Sequence, residues 1–168
     1  RLRASGRLTA EMAGMALAHT GIAVFLAGAL LVEAQQLQRE VAMKPGEVAE
    51  LGGRCFRFEG VERVTGPNYV ADRGIVTVLE GCSTPSATLH PEKRAYAGGG
   101  QVMTEAGIRP GVLADLFVAL GEPLGEGGWA VRLQVKPLVR WIWAGALLMA
   151  LGGFVTALDR RFRRVEER

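Results

Sequence analysis

Two long uncharged blocks of apolar residues lie near the two ends of the chain, at residues 12–32 and 141–158. At about 1.5 Å rise per residue, the first block makes a helix of roughly 31 Å, which matches a hydrocarbon core of about 30 Å. The second block is shorter, but Leu138 and Val139 extend it and Arg140 can snorkel to the headgroups. The pattern therefore predicts two membrane-spanning helices.

Between the blocks, apolar and polar residues alternate in short runs broken by turn residues, which is typical of β-strands. In residues 55–59, Phe56 and Phe58 fall on one face, and Arg57 and Glu59 on the other. Further strands are predicted at residues 74–79, 86–96, 115–120 and 129–135, with loops at residues 98–100 and 122–128. About seven short strands in about 100 residues predict a small sandwich or a partly open, OB-like barrel.

The excess of positive charge lies at the chain ends. Arg1, Arg3 and Arg7 precede the first block and five arginines follow the second, whereas acidic and basic residues nearly balance between the blocks. Because Lys and Arg favour the cytoplasmic side, both ends are expected in the cytoplasm and the middle segment in the periplasm. The net charge of +3 then has a membrane explanation, and no nucleic-acid partner is expected.

The resulting fold class is a membrane protein of the α+β type, with two transmembrane helices flanking a periplasmic all-β domain. Its predicted parts are a cytoplasmic basic segment (1–11), a transmembrane helix (12–32), the periplasmic β domain (33–139), a second transmembrane helix (140–158) and a cytoplasmic basic tail (159–168). Because the sequence begins at Arg1, in a basic stretch that leads straight into a span, we expect it to be a piece of a longer protein.

No motif of a self-contained enzyme occurs in the sequence. Gly-x-Ser-x-Gly, His-Glu-x-x-His and Cys-x-x-Cys are absent, and no glycine-rich loop follows a strand and opens a helix as a phosphate-binding loop does. The glycine-rich stretches are therefore interpreted as turns, and the segment is not expected to be an enzyme on its own.

Cys55 and Cys82 are the only cysteines, and both fall in the segment expected in the oxidising periplasm. Their separation in sequence does not show whether they are close, so a disulfide and two free, partly buried thiols both stay open. Metal binding by two cysteines alone is the weaker hypothesis.

His19 lies near the middle of the first apolar block, where an ionisable side chain is costly unless it has a partner. Three roles are open: a hydrogen bond to a neighbouring helix, ligation of haem iron by a neutral imidazole, or a proton relay. A relay would need a second ionisable group, which neither block supplies. Ala16, Ala18, Gly21 and Ala23 are small and leave room for a macrocycle or another helix.

Three other side chains have plainer interpretations. His90 lies among charged neighbours in the middle segment and is expected to be solvated or structural. Trp141 and Trp143 come at the start of the second block, where tryptophan anchors a helix at the membrane interface.

Several phrases together are more specific than any periodicity. In chain order they are residues 15–24 (MALAHTGIAV), 66–69 (GPNY), 87–94 (ATLHPEKR), 103–106 (MTEA), 115–122 (DLFVALGE), 129–133 (WAVRL) and 136–143 (KPLVRWIW). This series resembles the C-terminal part of the CcmF family of cytochrome c-type biogenesis proteins, over about residues 12–153.

The resemblance implies a role in a bacterial inner-membrane haem lyase complex, which joins haem by thioether bonds to the Cys-x-x-Cys-His motif of apocytochrome c. The implied partners are the upstream remainder of CcmF, the haem chaperone CcmE, and CcmH with CcmI, which present apocytochrome c. Substrate haem would be bound only transiently. The family also holds an intramembrane b-type haem (haem b) between two histidines, and His19 matches one of these axial ligands.

The chain also departs from the family pattern. The tryptophan-rich segment and the two periplasmic histidines that hold the substrate haem are absent, and His90 matches neither of them. The substrate-haem site is therefore missing, so no catalytic residue is assigned and this chain alone is not expected to be an active haem lyase. Cys55 and Cys82 match no functional motif of the family. The alternative hypothesis is a non-catalytic, membrane-anchored binding or scaffold module, in which His19 only packs helices.

Overall fold

A computed structural model describes residues 9–100 and 102–158, which divide into a helical unit and a β unit. The helical unit contains α1 (Ala10–Gln35) and α2 (Val139–Ala157). The β unit runs from Gln35 to Pro137. Of the predicted basic segments, residues 1–8 and 159–168 lie outside the described residues.

Both helices are long and apolar enough to cross a membrane, with 26 and 19 residues and mean hydropathies of 2.1 and 1.5 in their most apolar windows. In each helix only 11% of that window is buried inside the structure. A core helix of a soluble protein would bury most of its apolar side chains, so the low burial of these two helices fits segments that cross a membrane.

Glycines form the seam between the two helices. Gly14, Gly21 and Gly28 are the buried residues of α1, and Gly145 and Gly152 are those of α2. A Cβ atom added to Gly21 would lie 2.6 Å from the backbone nitrogen of Met149 and 2.8 Å from the carbonyl oxygen of Gly145. The helices therefore pack backbone against backbone, a contact that only glycine permits.

The β unit is built from antiparallel strands in two sheets. Within the described residues its ten strands are β1 (Leu37–Met43), β2 (Val48–Leu51), β3 (Arg54–Thr65), β4 (Tyr69–Glu80), β5 (Thr84–Leu89), β6 (Glu92–Tyr96), β7 (Met103–Glu105), β8 (Gly107–Arg109), β9 (Ala114–Gly125) and β10 (Gly128–Pro137). One sheet has the order β1-β10-β9-β8, and the other has the order β2-β3-β4-β6-β7, with β5 also paired to β4.

The core lies between the inner faces of the two sheets. Phe56 and Phe58 of β3 are completely buried, as their alternation with Arg57 and Glu59 predicts. Aliphatic side chains complete the same cluster from both sheets, among them Val76, Val78, Val118, Leu120, Val131 and Leu133. The predicted membrane protein with a β-sandwich domain is thus confirmed.

Two predicted elements of the β unit are wrong. Residues 86–96, expected as one strand, form β5 and β6, which pair with different halves of β4. The chain breaks at His90 and Pro91, because proline has no N–H group to donate to the ladder. The loop expected at residues 122–128 is a two-residue turn at Glu126 and Gly127, whose positive φ angles of 47° and 77° favour a tight hairpin.

Candidate functional site

The imidazole of His19 lies on the exposed surface of α1. Its Nδ1 atom is 2.8 Å from the carbonyl oxygen of Met15, one helical turn earlier. Because a carbonyl oxygen only accepts hydrogen bonds, this contact places the imidazole proton on Nδ1. The lone pair then lies on Nε2, which is the nitrogen available to a metal.

A concave surface of about 600 Å³ adjoins His19, and both helices line it. Met15, Ala18 and Glu11 contribute from α1, together with His19, and the lining from α2 is Gly153, Thr156 and Ala157. A Cβ atom added to Gly153 would meet nothing within 4 Å, so this part of α2 is open. The surface is mostly small and apolar beside one imidazole, a combination that fits a flat, apolar group with a central metal.

A second concave surface of about 460 Å³ lies elsewhere on the helix pair. Its lining from α1 is apolar except for Thr20, and the indole of Trp141 closes it. No imidazole, thiol or carboxylate lines this surface, so it can hold an apolar group but cannot ligate a metal.

The hydrogen bond of His19 remains within its own helix. The hypothesis of a hydrogen bond to a neighbouring helix therefore has no counterpart in the described part of the chain. Of the small residues around His19, Gly21 lies in the seam with α2, whereas Ala18 also borders the open surface. The open surface thus borders the helix seam, because Ala18 and Thr156 line the surface and also contact seam glycines of the opposite helix.

The two cysteines form a disulfide, so the free-thiol interpretation is wrong. The Cα atoms of Cys55 and Cys82 are 5.0 Å apart, and the bond joins the start of β3 to the turn between β4 and β5. His90 is exposed at the break between β5 and β6. Among the described residues no group of three or more His, Cys, Asp or Glu side chains could hold a metal ion.

A buried carboxylate in the β unit was missed at the sequence level. Glu92 is 5% exposed and accepts hydrogen bonds from Arg73 at 2.6 Å and from Arg94 at 2.7 Å. Burial acts to raise the pKa of Glu92, but the hydrogen bonds and charges of Arg94 and Arg73 outweigh it and lower the pKa. Because both arginines neutralise the carboxylate, the cluster stabilises the fold and is not suited to proton transfer.

Arg94 also lies over the ring of Tyr69, with its guanidinium carbon 4.6 Å from the ring centroid. Tyr69 and Tyr96 pack together with ring centroids 5.5 Å apart. Sequence analysis could have found this cluster only from the register of β4 and β6, because the charged residues are 19 or more positions from Arg73 in the chain.

Comparisons with known proteins match both units of the chain. The family model described as CcmF C-terminal beta-sandwich matches residues 34–137. The protein named Cytochrome c-type biogenesis protein CcmF from Pseudomonas aeruginosa is 53% identical over 156 residues, which are 93% of this chain and 24% of that relative. Its namesake from Escherichia coli K12 is 42% identical over 165 residues, or 98% of this chain and 25% of the relative.

A solved structure named Cytochrome c Heme Lyase CcmF shares the fold with a TM-score of 0.74 and 20% sequence identity. The match covers 89% of this chain and 25% of the solved chain. The chain therefore spans about a quarter of the length of the curated relatives and of the solved structure that it matches.

Proposed function

The chain belongs to the CcmF family, whose C-terminal portion it matches, and on this premise we propose that it is the C-terminal part of a haem lyase subunit. The complete protein would support thioether attachment of haem to the Cys-x-x-Cys-His motif of apocytochrome c. The names of the relatives, which refer to cytochrome c biogenesis, support this proposal, and so does the heme lyase name of the solved structure.

Within that function, the role of His19 is to supply one axial ligand to an intramembrane b-type haem. The observation that carries this proposal is an exposed imidazole on an apolar helix, with Nδ1 bonded to Met15 and Nε2 facing no partner in the described residues. Ala18, Gly153 and Ala157 of the adjoining surface are small, and this part of the lining leaves space for a macrocycle. When bound, haem would supply reversible one-electron oxidation and reduction.

The second axial ligand belongs to the upstream remainder of the protein in this proposal, since the helix pair contains no other histidine. The hydrogen bond from Nδ1 to Met15 fixes the ring orientation and makes Nε2 a better donor to iron. His19 thus holds its proton away from the nitrogen that would bind the metal.

The β domain serves in this proposal as a periplasmic scaffold and docking surface. Its partners would be the haem chaperone CcmE, the CcmH and CcmI proteins, and apocytochrome c. A self-contained core and the Cys55–Cys82 disulfide support this role, because they make the domain a rigid platform suited to an oxidising compartment.

The test compares His19→Ala with His90→Ala in the full-length protein, which includes the upstream portion. We expect the purified wild type and His90→Ala to show the reduced α and Soret bands of a b-type haem, and His19→Ala to lose them. His90 is the matched control because it is the other histidine of the chain and lies in the β unit.

Retention of the same spectrum by a folded His19→Ala protein would contradict the ligand proposal. The chain would then be a membrane-anchored binding or scaffold module without haem. Equal amounts of protein in the membrane and an intact Cys55–Cys82 disulfide would show that the variant has folded.

A further inference from the structure

The most exposed large apolar side chains of the β unit are Val112 and Leu113, at 74% and 71%. They lie in the loop between β8 and β9, which consists of Pro110, Gly111, Val112 and Leu113 and is called the apolar loop below. Two adjacent apolar side chains at this exposure form a small apolar protrusion on the β unit.

The apolar loop is held in place from within the β unit. The backbone N–H of Gly111 donates a hydrogen bond of 2.8 Å to the carboxylate of Asp115, which is only 7% exposed. A side chain on Gly111 would collide with the carbonyl oxygen of Ala114, so the turn requires glycine. Val112 and Leu113 are thus presented by a fixed turn.

The sheet register places this loop at one particular end of the sandwich. Ala114 pairs with Pro137, and Leu37 pairs with Val135, so the loop lies at the end where the chain enters and leaves the β unit. Only Gln36 separates α1 from β1, and only Leu138 separates β10 from α2. The loop therefore lies at the end of the sheet that the chain joins directly to both candidate membrane spans.

Two arginines accompany the apolar loop. Arg54 and Arg109 line a cavity of about 140 Å³ with Pro110, Gly111 and Ala114, and no carboxylate lines it. Arg109 donates one hydrogen bond of 2.9 Å to Ser86, and Arg54 forms no ion pair within the described residues. Guanidinium groups beside protruding apolar side chains complement the phosphates and acyl chains of a lipid surface.

We propose that the apolar loop inserts into the bilayer interface, with Val112 and Leu113 among the acyl chains and Arg54 and Arg109 at the lipid phosphates. The loop anchors the β domain on the membrane surface in addition to the two helices. This proposal rests on the membrane location of the helices and not on haem binding, so the two can fail separately.

The experiment uses the whole 168-residue chain, reconstituted in vesicles that contain phosphatidylglycerol. Val112→Cys is labelled with an environment-sensitive nitrobenzoxadiazole dye, which leaves the disulfide-bonded Cys55 and Cys82 unlabelled. Leu124→Cys is the matched control, since Leu124 is 56% exposed and lies on β9 near the hairpin at the opposite end of the sheet.

We expect the dye at position 112 to emit at shorter wavelength than in water and to lose about half its intensity to shallow doxyl-labelled lipids. The dye at position 124 emits as in water and is not quenched. In the double variant Arg54→Gln/Arg109→Gln, quenching at position 112 in phosphatidylglycerol falls to the level seen in phosphatidylcholine.

Two results would overturn the proposal. If the dye at position 112 emits at the same wavelength as the dye at position 124, the apolar loop is exposed to water. A blue shift at position 112 without quenching by doxyl lipids would show that protein, such as a second copy of the chain, covers the loop. Retention of the disulfide in each variant checks that the β unit is folded.

Discussion

Glu92 is a carboxylate whose charge is stabilised by two arginines that come from different positions in the chain. Arg94 lies on the same strand, and Arg73 reaches it from β4 across the strand pair. Because the folded protein lowers the pKa of Glu92, the ionised form binds its neighbours more strongly than it does in the unfolded chain. The cluster therefore contributes stability that depends on pH.

This dependence gives a prediction for Glu92→Gln. A lowered pKa contributes stability above the unfolded value near 4.5, and this contribution is lost as the pH falls through the folded value. At neutral pH the substitution is expected to cost about 1–2 kcal/mol, because the arginines are partly exposed. Below pH 4.5 the difference between variant and wild type should shrink, as measured by denaturant unfolding across the pH range.

Glu126→Gln is the control, since Glu126 pairs with Lys44 at an exposed site, with its side chain 85% accessible. The unfolding free energy of Glu126→Gln should equal that of the wild type at every pH. A constant deficit for Glu92→Gln from neutral pH down to acid would contradict the linkage argument.

At the scale of elements, the seam of α1 and α2 depends on the absence of side chains. A Cβ atom added to Gly21 would contact backbone atoms of Met149 and Gly145. A Cβ atom added to Gly152 would lie 2.6 Å from the carbonyl oxygen of Gly14. In lipid, close backbone approach and dispersion replace the hydrophobic effect as the source of helix association. The seven-residue spacing of these glycines keeps them on one face of each helix.

Gly21→Ala is therefore expected to destabilise the helix pair by about 1–3 kcal/mol, because the new methyl group meets backbone atoms that cannot move aside. Gly153→Ala is the control, since Gly153 of α2 follows the seam residue Gly152 but has open space around an added Cβ. Thermal unfolding in detergent measures the melting temperatures of both variants. Equal melting temperatures for the two variants would show that the seam tolerates a side chain.

At the scale of the whole molecule, the two helices connect the ends of the β domain to the proposed membrane. Leu37 and Pro137 are neighbours at one end of a single sheet, so the chain enters and leaves the domain at the same place. If both helices span, both chain ends are expected on the same side of a bilayer and the domain on the other, with the ends in the cytoplasm as proposed from the arginines.

Fusions to alkaline phosphatase test this topology, because the enzyme is active only in the periplasm. Inserted at the Glu126–Gly127 hairpin, the enzyme should be active, and fused after Arg168 it should be inactive. The hairpin tolerates an insertion because it is an exposed two-residue turn at the end of the sheet. Activity of the fusion after Arg168 and none at the hairpin would reverse the assigned orientation.

The sequence by itself determined the features that depend on local composition and periodicity. Two uncharged blocks predict two long apolar helices, and the alternation around Phe56 and Phe58 predicts the buried face of β3, because burial follows the period of each element. The position of an ionisable side chain in the middle of the first block singled out His19, and the family phrases added the family itself and the axial-ligand hypothesis. Strand number was underestimated, since the break at Pro91 and the tight turn at Glu126 depend on single residues within longer runs.

Only the tertiary structure decided which distant residues meet. It paired Cys55 with Cys82, enclosed Glu92 between Arg73 and Arg94, and brought the apolar loop beside Arg54. It also left Nε2 of His19 facing outward while Nδ1 bonds to Met15. The physical reason is that register and helix rotation are fixed by the packing of the whole core and seam, which no short stretch of sequence specifies.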